Sequence, residues 1–105
     1  MDLVDEIYST VRNFPNYEMF ALATQMRKAA TSIPCNIAEG QGRYSTGEFR
    51  QFLGHARGSL LELQTQVSIA ENLGYFSPEQ SNTLAERAGE IGRILNGLIN
   101  SLKSR

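Results

Sequence analysis

The stretch from Ser45 to Gly74, STGEFRQFLGHARGSLLELQTQVSIAENLG, decides the fold of this chain. Within it Phe49, Leu53, Ala56, Leu60, Leu63, Val67 and Ala70 are spaced alternately four and three residues apart. Side chains three and four positions apart lie over one another on an α-helix, so this rhythm draws one continuous apolar stripe. Ser45-Thr46-Gly47-Glu48 has the S-x-x-E spacing of a capping box, which starts the helix at Ser45. Gly74 closes it, since glycine is favoured just past a helix end. A helix over residues 46–73 follows, with a stripe that must be buried against something.

Matching stripes lie on both sides of it. Ser77-Pro78-Glu79-Gln80 repeats the capping pattern with Gln in place of Glu and opens a helix over 78–103, whose face is Leu84, Ala88, Ile91, Leu95, Leu98 and Leu102. Upstream, Met19, Leu22, Met26, Ala29 and Ile33 keep the same rhythm over 17–42, and Asn36 and Gly40 fall on its next two steps. Phe14-Pro15-Asn16 separates this helix from a short first one, roughly Asp2 to Arg12, with Leu3, Ile7 and Val11 on its apolar side. A seven-residue repeat on helices joined by short turns implies near-antiparallel packing at about 20°. No alternating pattern is long enough for a strand. The expected architecture is all-α: one domain over 1–105, an antiparallel up-down-up-down four-helix bundle with a short first helix, bent around Pro34 in the second.

Length then exposes a gap. At about 1.5 Å per residue, helices two to four span roughly 36–42 Å and the first only about 17 Å. The first can cover only the end built by residues 16–30, 60–73 and 78–90. The end holding 33–42, 46–58 and 92–103 is expected to be three-helical and partly open. Something else must cover its apolar side chains, or part of the first helix lies outside this chain.

Composition narrows the function classes. Of 105 residues, 41% are hydrophobic and 20% charged, enough apolar material for one core. Ten Lys+Arg against eleven Asp+Glu give a formal charge of −1, which excludes binding to polyanions by bulk charge and leaves a local basic face open. One cysteine excludes an internal disulfide framework. One histidine excludes most metal sites built by a single chain, and no cofactor is implied. There is no Trp, no apolar run near about 18 residues, and no charged-then-apolar leader after Met1-Asp2-Leu3. The expectation is a soluble, cytoplasmic protein with no membrane partner.

Several motifs are distinctive together: Phe14-Pro15-x-x-Glu18, Leu22-x-x-Gln25-x-Arg27, and Ser32-Ile33-Pro34-x-Asn36-Ile37-Ala38-Glu39-Gly40. They continue through Arg43, Ser45, Glu48-Phe49-x-x-Phe52-Leu53, Ala56-Arg57-Gly58-Ser59-Leu60-x-Glu62 and Leu73-Gly74-Tyr75. With these the chain resembles the four-helix bundle protein family first noticed as reading frames inside intervening sequences of bacterial large-subunit ribosomal RNA genes. Lys28 departs from the pattern where many members carry a second Arg, and relatives usually carry more helical residues before the Leu3 equivalent. The resemblance implies a homo-oligomeric ring, typically a pentamer, with no established enzymatic activity. More distantly the chain is similar to the accessory protein of diversity-generating retroelements, a basic ring that binds nucleic acid and a reverse transcriptase.

Individual constellations point to structure more than to chemistry. Asn36, on an apparent core step, fixes register or caps a backbone group freed by Pro34; its functional alternative is a polar pocket with Glu39 and Gln41. Antiparallel pairing places Arg27 level with Glu62, a structural ion pair on a helix seam. Cys35 and His55 are also level, but both lie on flanks and no oxyanion-forming turn accompanies them. Glu39 with Glu48, and Glu86 with Glu90, are carboxylate pairs of the kind solvated helices carry. Gly54, Gly58, Gly89, Gly92 and Gly97 all interrupt helices, at about 1 kcal/mol each relative to Ala. Gly54 and Gly58 lie one turn apart beside Leu61, away from the core stripe, and mark either an internal helix crossing or an oligomer contact.

Arg43, Arg50 and Arg57 recur every seven residues. Repeated around a ring they would make a phosphate-binding surface, with Tyr44 available to stack on a base. Arg87 and Arg93 stand among Glu79, Glu86 and Glu90 and are neutralised locally. The reading is a non-enzymatic homo-oligomeric bundle, an accessory protein for RNA or a nucleic-acid enzyme. The alternative is a protein-binding scaffold with no nucleic-acid role.

Overall fold

The computed structural model of the chain describes residues 2–12 and 17–103. They form four helices: α1 (Asp2–Val11), α2 (Tyr17–Gln41), α3 (Thr46–Asn72) and α4 (Pro78–Lys103). Among the described residues there is no strand. The break at Phe14-Pro15-Asn16 lies outside the described residues. α1 packs on α2, α2 on α3, α3 on α4, and α4 closes back on α1, the ring order of an up-and-down bundle. The molecule measures 47 × 21 × 18 Å, long in the direction of α2–α4.

Helix ends form as local chemistry requires. The Ser45 Oγ accepts a hydrogen bond from the Glu48 amide at 3.0 Å, half of a capping box. At α4 the box is complete. Gln80 N–H donates to Ser77 Oγ at 3.1 Å, and Ser77 N–H donates to Gln80 Oε1 at 2.9 Å, with Pro78 in the first helical position. At the end of α3, Gly74 has φ +77°, the left-handed conformation that costs glycine least. Its amide donates to Glu71 O and that of Tyr75 to Ala70 O, the paired bonds of a Schellman turn.

The core follows the predicted stripes on α1 and, apart from the half-buried Phe49, on α3; on α2 it takes in Ala23 and Ala30, off the predicted rhythm, while Met19 and Leu22 are only half-buried. Leu3, Ile7 and Val11 are buried, as are Met26, Ala29, Ile33, Leu53, Ala56, Leu60, Leu63 and Ala70. On α4 the stripe needs correction. Leu98 is 39% exposed, and Ile99, off the predicted rhythm, is buried at 9%. The cause is the short α1. Its start lies beside Arg87, which pairs with Asp2 at 3.5 Å and Glu6 at 3.3 Å. Asp2 and Leu3 still border a shallow hollow with Ile91 and Ile94, but the next turn of α4, which carries Leu98, has no described residue of α1 against it. Ile99 shares the side of α4 that carries Gly92 and Asn96, the side facing Leu60 and Arg57 of α3. The three-helical end nevertheless closes its own centre: Ile33, Leu53 and Leu95 are buried, and only Ile94 and Leu98 are left out as large exposed apolar side chains of α4.

α2 runs through Pro34 as one helix. Asn36 turns sideways, its Nδ2 donating to Ser32 O at 2.8 Å and to Ser32 Oγ at 2.9 Å. The Ser32 hydroxyl in turn shares a 2.8 Å hydrogen bond with that of Ser59 on α3. Asn36 therefore joins a small polar link between α2 and α3. Near the same end Gly40 is buried against α3. A Cβ there would lie 2.8 Å from Phe52 Cβ and 2.9 Å from Phe49 Cδ1.

Candidate functional site

Because Leu53, Ala56, Leu60, Leu63 and Ala70 turn one side of α3 inward, the residues halfway round the helix are forced outward. These are Gly54, Gly58, Leu61, Thr65 and Ile69, five positions on one face. A Cβ added at Gly54 or Gly58 would meet nothing within 4 Å. Leu61 is 55% exposed and Ile69 44%, and Leu73 at the end of the helix is 58% exposed. The Thr65 hydroxyl donates to its own helix at Leu61 O, 3.0 Å away, so it adds no unpaired polar group to this face. The result is a shallow apolar strip whose upper part is bare backbone.

The three arginines do not share this strip. Arg43 Nη2 donates to Glu39 Oε1 at 2.6 Å, and its guanidinium lies 4.8 Å from the centre of the Phe52 ring, so it is turned toward the α2–α3 seam. Arg57 Nη1 donates to Asn96 Oδ1 of α4 at 3.2 Å, on the opposite seam. Arg50 is exposed and makes no such contact among the described residues. Tyr44, at the α2–α3 turn, is fully exposed. The spacing of seven residues across a turn does not carry the helical rhythm through it, and that separates Arg43 from the other two.

Other candidate residues also scatter. Arg27 does not reach Glu62. Its Nη2 donates to Thr24 Oγ1 at 3.3 Å, and its guanidinium lies 5.9 Å from the ring centres of both Tyr8 and Phe20, on the α1 side of α2. Glu62 instead accepts from Gln66 Nε2 on its own helix at 3.4 Å. Level positions on two helices meet only when both face the shared seam, and Arg27 faces the other one. Asn36 is occupied with Ser32, while Glu39 borders a shallow hollow with Arg43, Tyr44 and Glu48. Cys35 is exposed, and His55 stacks on Phe52 with ring centres 5.6 Å apart. Among the described residues no three of His, Cys, Asp and Glu are grouped to hold a metal ion. No helix among them is long and apolar enough to cross a membrane.

By fold and surface this is an all-α up-and-down bundle with an outward apolar strip on its third helix. The chain belongs to the 23S rRNA-intervening sequence protein family, whose model matches residues 1–97. In three dimensions it is similar to a protein of unknown function from the S23 ribosomal protein family of Bacteroides thetaiotaomicron, with a TM-score of 0.81. The two are 21% identical, over 93% of this chain and 88% of the other, a likeness of fold. No curated protein matches the chain significantly.

Proposed function

We propose that the protein is a non-catalytic, self-associating bundle whose copies meet through the outward face of α3, working in the cytoplasm as an assembly or accessory module. The observation that carries this reading is the open space around Gly54 and Gly58. Neither glycine makes room for anything inside the bundle, yet each weakens its helix by about 1 kcal/mol. Bare backbone next to exposed Leu61 and Ile69 suits close approach of another helix, and a repeated contact of this kind is the economical way to cover it. A ring of five, the number implied by the family resemblance, is the assembly we favour. The test is sedimentation of Gly58→Arg and Leu61→Glu beside Ile94→Glu, an equally exposed position on α4. The α3 variants should fall to the monomer mass with their helical circular dichroism intact, and Ile94→Glu should not. Wild-type mass in both α3 variants would place the contact elsewhere.

Arg50 and Tyr44 support a second reading, in which the assembled ring presents this end to RNA or to a nucleic-acid enzyme. One unengaged arginine at this end of each copy is weak alone and gains strength only by repetition. An RNA titration at two salt concentrations should show binding that weakens with salt and is lost in Arg50→Ala/Arg57→Ala. Equal weak binding by both proteins would leave the protein scaffold as the function.

A further inference from the structure

The outward strip of α3 has a counterpart of opposite relief elsewhere on the same molecule. α1 packs on α2 and α4 but not on α3, so the α1–α2 face and the α3 strip lie on different sides of the bundle. Along the α1–α2 seam runs a shallow hollow lined by Val4 and Tyr8 of α1 and Thr31 of α2. Arg27 borders it on α2, and Asp5, Ser9 and Arg12 border it on α1, in that order toward the α1–α2 turn. Tyr8 is 46% exposed, and Phe20, across Arg27 from it, 57%. The hollow and the strip stand at one level. The hydrogen bond between Ser32 and Ser59 fixes the antiparallel register of α2 and α3. By that count Leu61 is level with Ala30, between Arg27 and Thr31, and Phe20 with Glu71, between Ile69 and Leu73. Copies standing side by side and pointing the same way therefore bring the strip of one onto the hollow of the next with no step along the axis. That is the condition for a head-to-tail contact to close as a ring and not climb as a filament.

Charge follows the same plan. Among the described residues the ion pairs join Arg43 to Glu39 and Arg87 to Asp2 and Glu6; Asp5, Arg12, Arg27, Arg57, Glu62 and Glu71 take part in none. On α3, Glu62 shares with Ser59 the flank toward α2. Arg57, bonded to Asn96, and Glu71, in the α3–α4 groove, lie on the flank toward α4. The helices follow one another round each bundle in the same sense. When the α3 face of one copy meets the α1–α2 face of the next, the α2 flank must therefore fall against α2 and the α4 flank against α1. Glu62 then comes opposite Arg27, Arg57 opposite Asp5, and Glu71 opposite Arg12, three pairs of opposite sign. A two-fold contact of α3 with α3 would leave the hollow empty and Asp5, Arg12 and Arg27 unmatched. We propose that the surface covering the α3 strip is the α1–α2 face of a second copy, with Leu61 seated in the hollow and the three charge pairs along its edges. This rests on the self-association proposed above and adds the face of the neighbour that takes part.

Leu61→Glu blocks one of the two faces and Tyr8→Glu the other. Each variant alone should sediment as an 11.7 kDa monomer with its helical circular dichroism intact. Mixed, they should join one to one and stop at a dimer, because a single intact pair of faces remains. Failure of the mixture to join overturns the proposal. Tyr8→Glu at the wild-type mass beside a monomeric Leu61→Glu would keep the α3 contact and overturn this choice of partner surface. Wild-type mass in Leu61→Glu would remove the α3 contact itself, and this proposal with it. Charge reversal gives a readout that does not depend on Tyr8. Asp5→Arg and Arg57→Asp, both at exposed positions, should each raise the midpoint concentration of association about tenfold. The two reversals in one chain should return it to the wild-type value, since the pair is then restored with its signs exchanged. No recovery in the double variant overturns the pairing.

Discussion

Two glycines of this chain carry opposite meanings that only the folded structure separates. At Gly40 an added Cβ would collide with Phe52 and Phe49, so Gly40→Ala should destabilise the fold. Overpacking costs about 1–3 kcal/mol, more than the ~1 kcal/mol that alanine returns in helix propensity. At Gly54 the added methyl meets open space, so Gly54→Ala should stabilise the isolated fold by up to about 1 kcal/mol. Urea midpoints measured at low protein concentration check both signs together. The sequence shows Gly40 on the core rhythm and Gly54 off it, which is the signal for the difference, but helix-to-helix distance decides the collision. Asn36 illustrates the same boundary. Its core step is visible in the spacing, whereas its partner Ser32, and the Ser59 hydroxyl beyond, depend on which way the amide turns.

Element boundaries are legible because capping chemistry is local. Ser45, Ser77 and Gly74 mark their helix ends by residue type and spacing alone, and all three adopt the geometry those types favour. Removal of the reciprocal cap by Ser77→Ala should lower stability by about 1 kcal/mol, read from the thermal midpoint. The buried face of α4 is less legible. A heptad stripe assumes neighbours on both flanks, and past the start of α1 one flank has none, so burial passes from Leu98 to Ile99. Accordingly Ile99→Ala should cost about 2 kcal/mol, and Leu98→Ala less than about 1 kcal/mol, in the same unfolding experiment. A reversal of that order would show that something covers Leu98 in solution.

At the scale of the whole molecule, the ring order of the helices is readable from four stripes and three short connections, and the site is not. Arg27 and Glu62, level in number, face different seams, and Arg43 and Arg57 lie on opposite sides of α3. Level follows from the chain, but facing follows from rotation about each helix axis, which packing sets. What survives at this scale is an outward α3 strip with no internal purpose. If other copies of the chain cover it, as proposed above, light scattering of the wild-type protein at micromolar concentration, the most direct test of that proposal, will show a single species at a multiple of the 11.7 kDa chain mass. A stable mass of 11.7 kDa would contradict it.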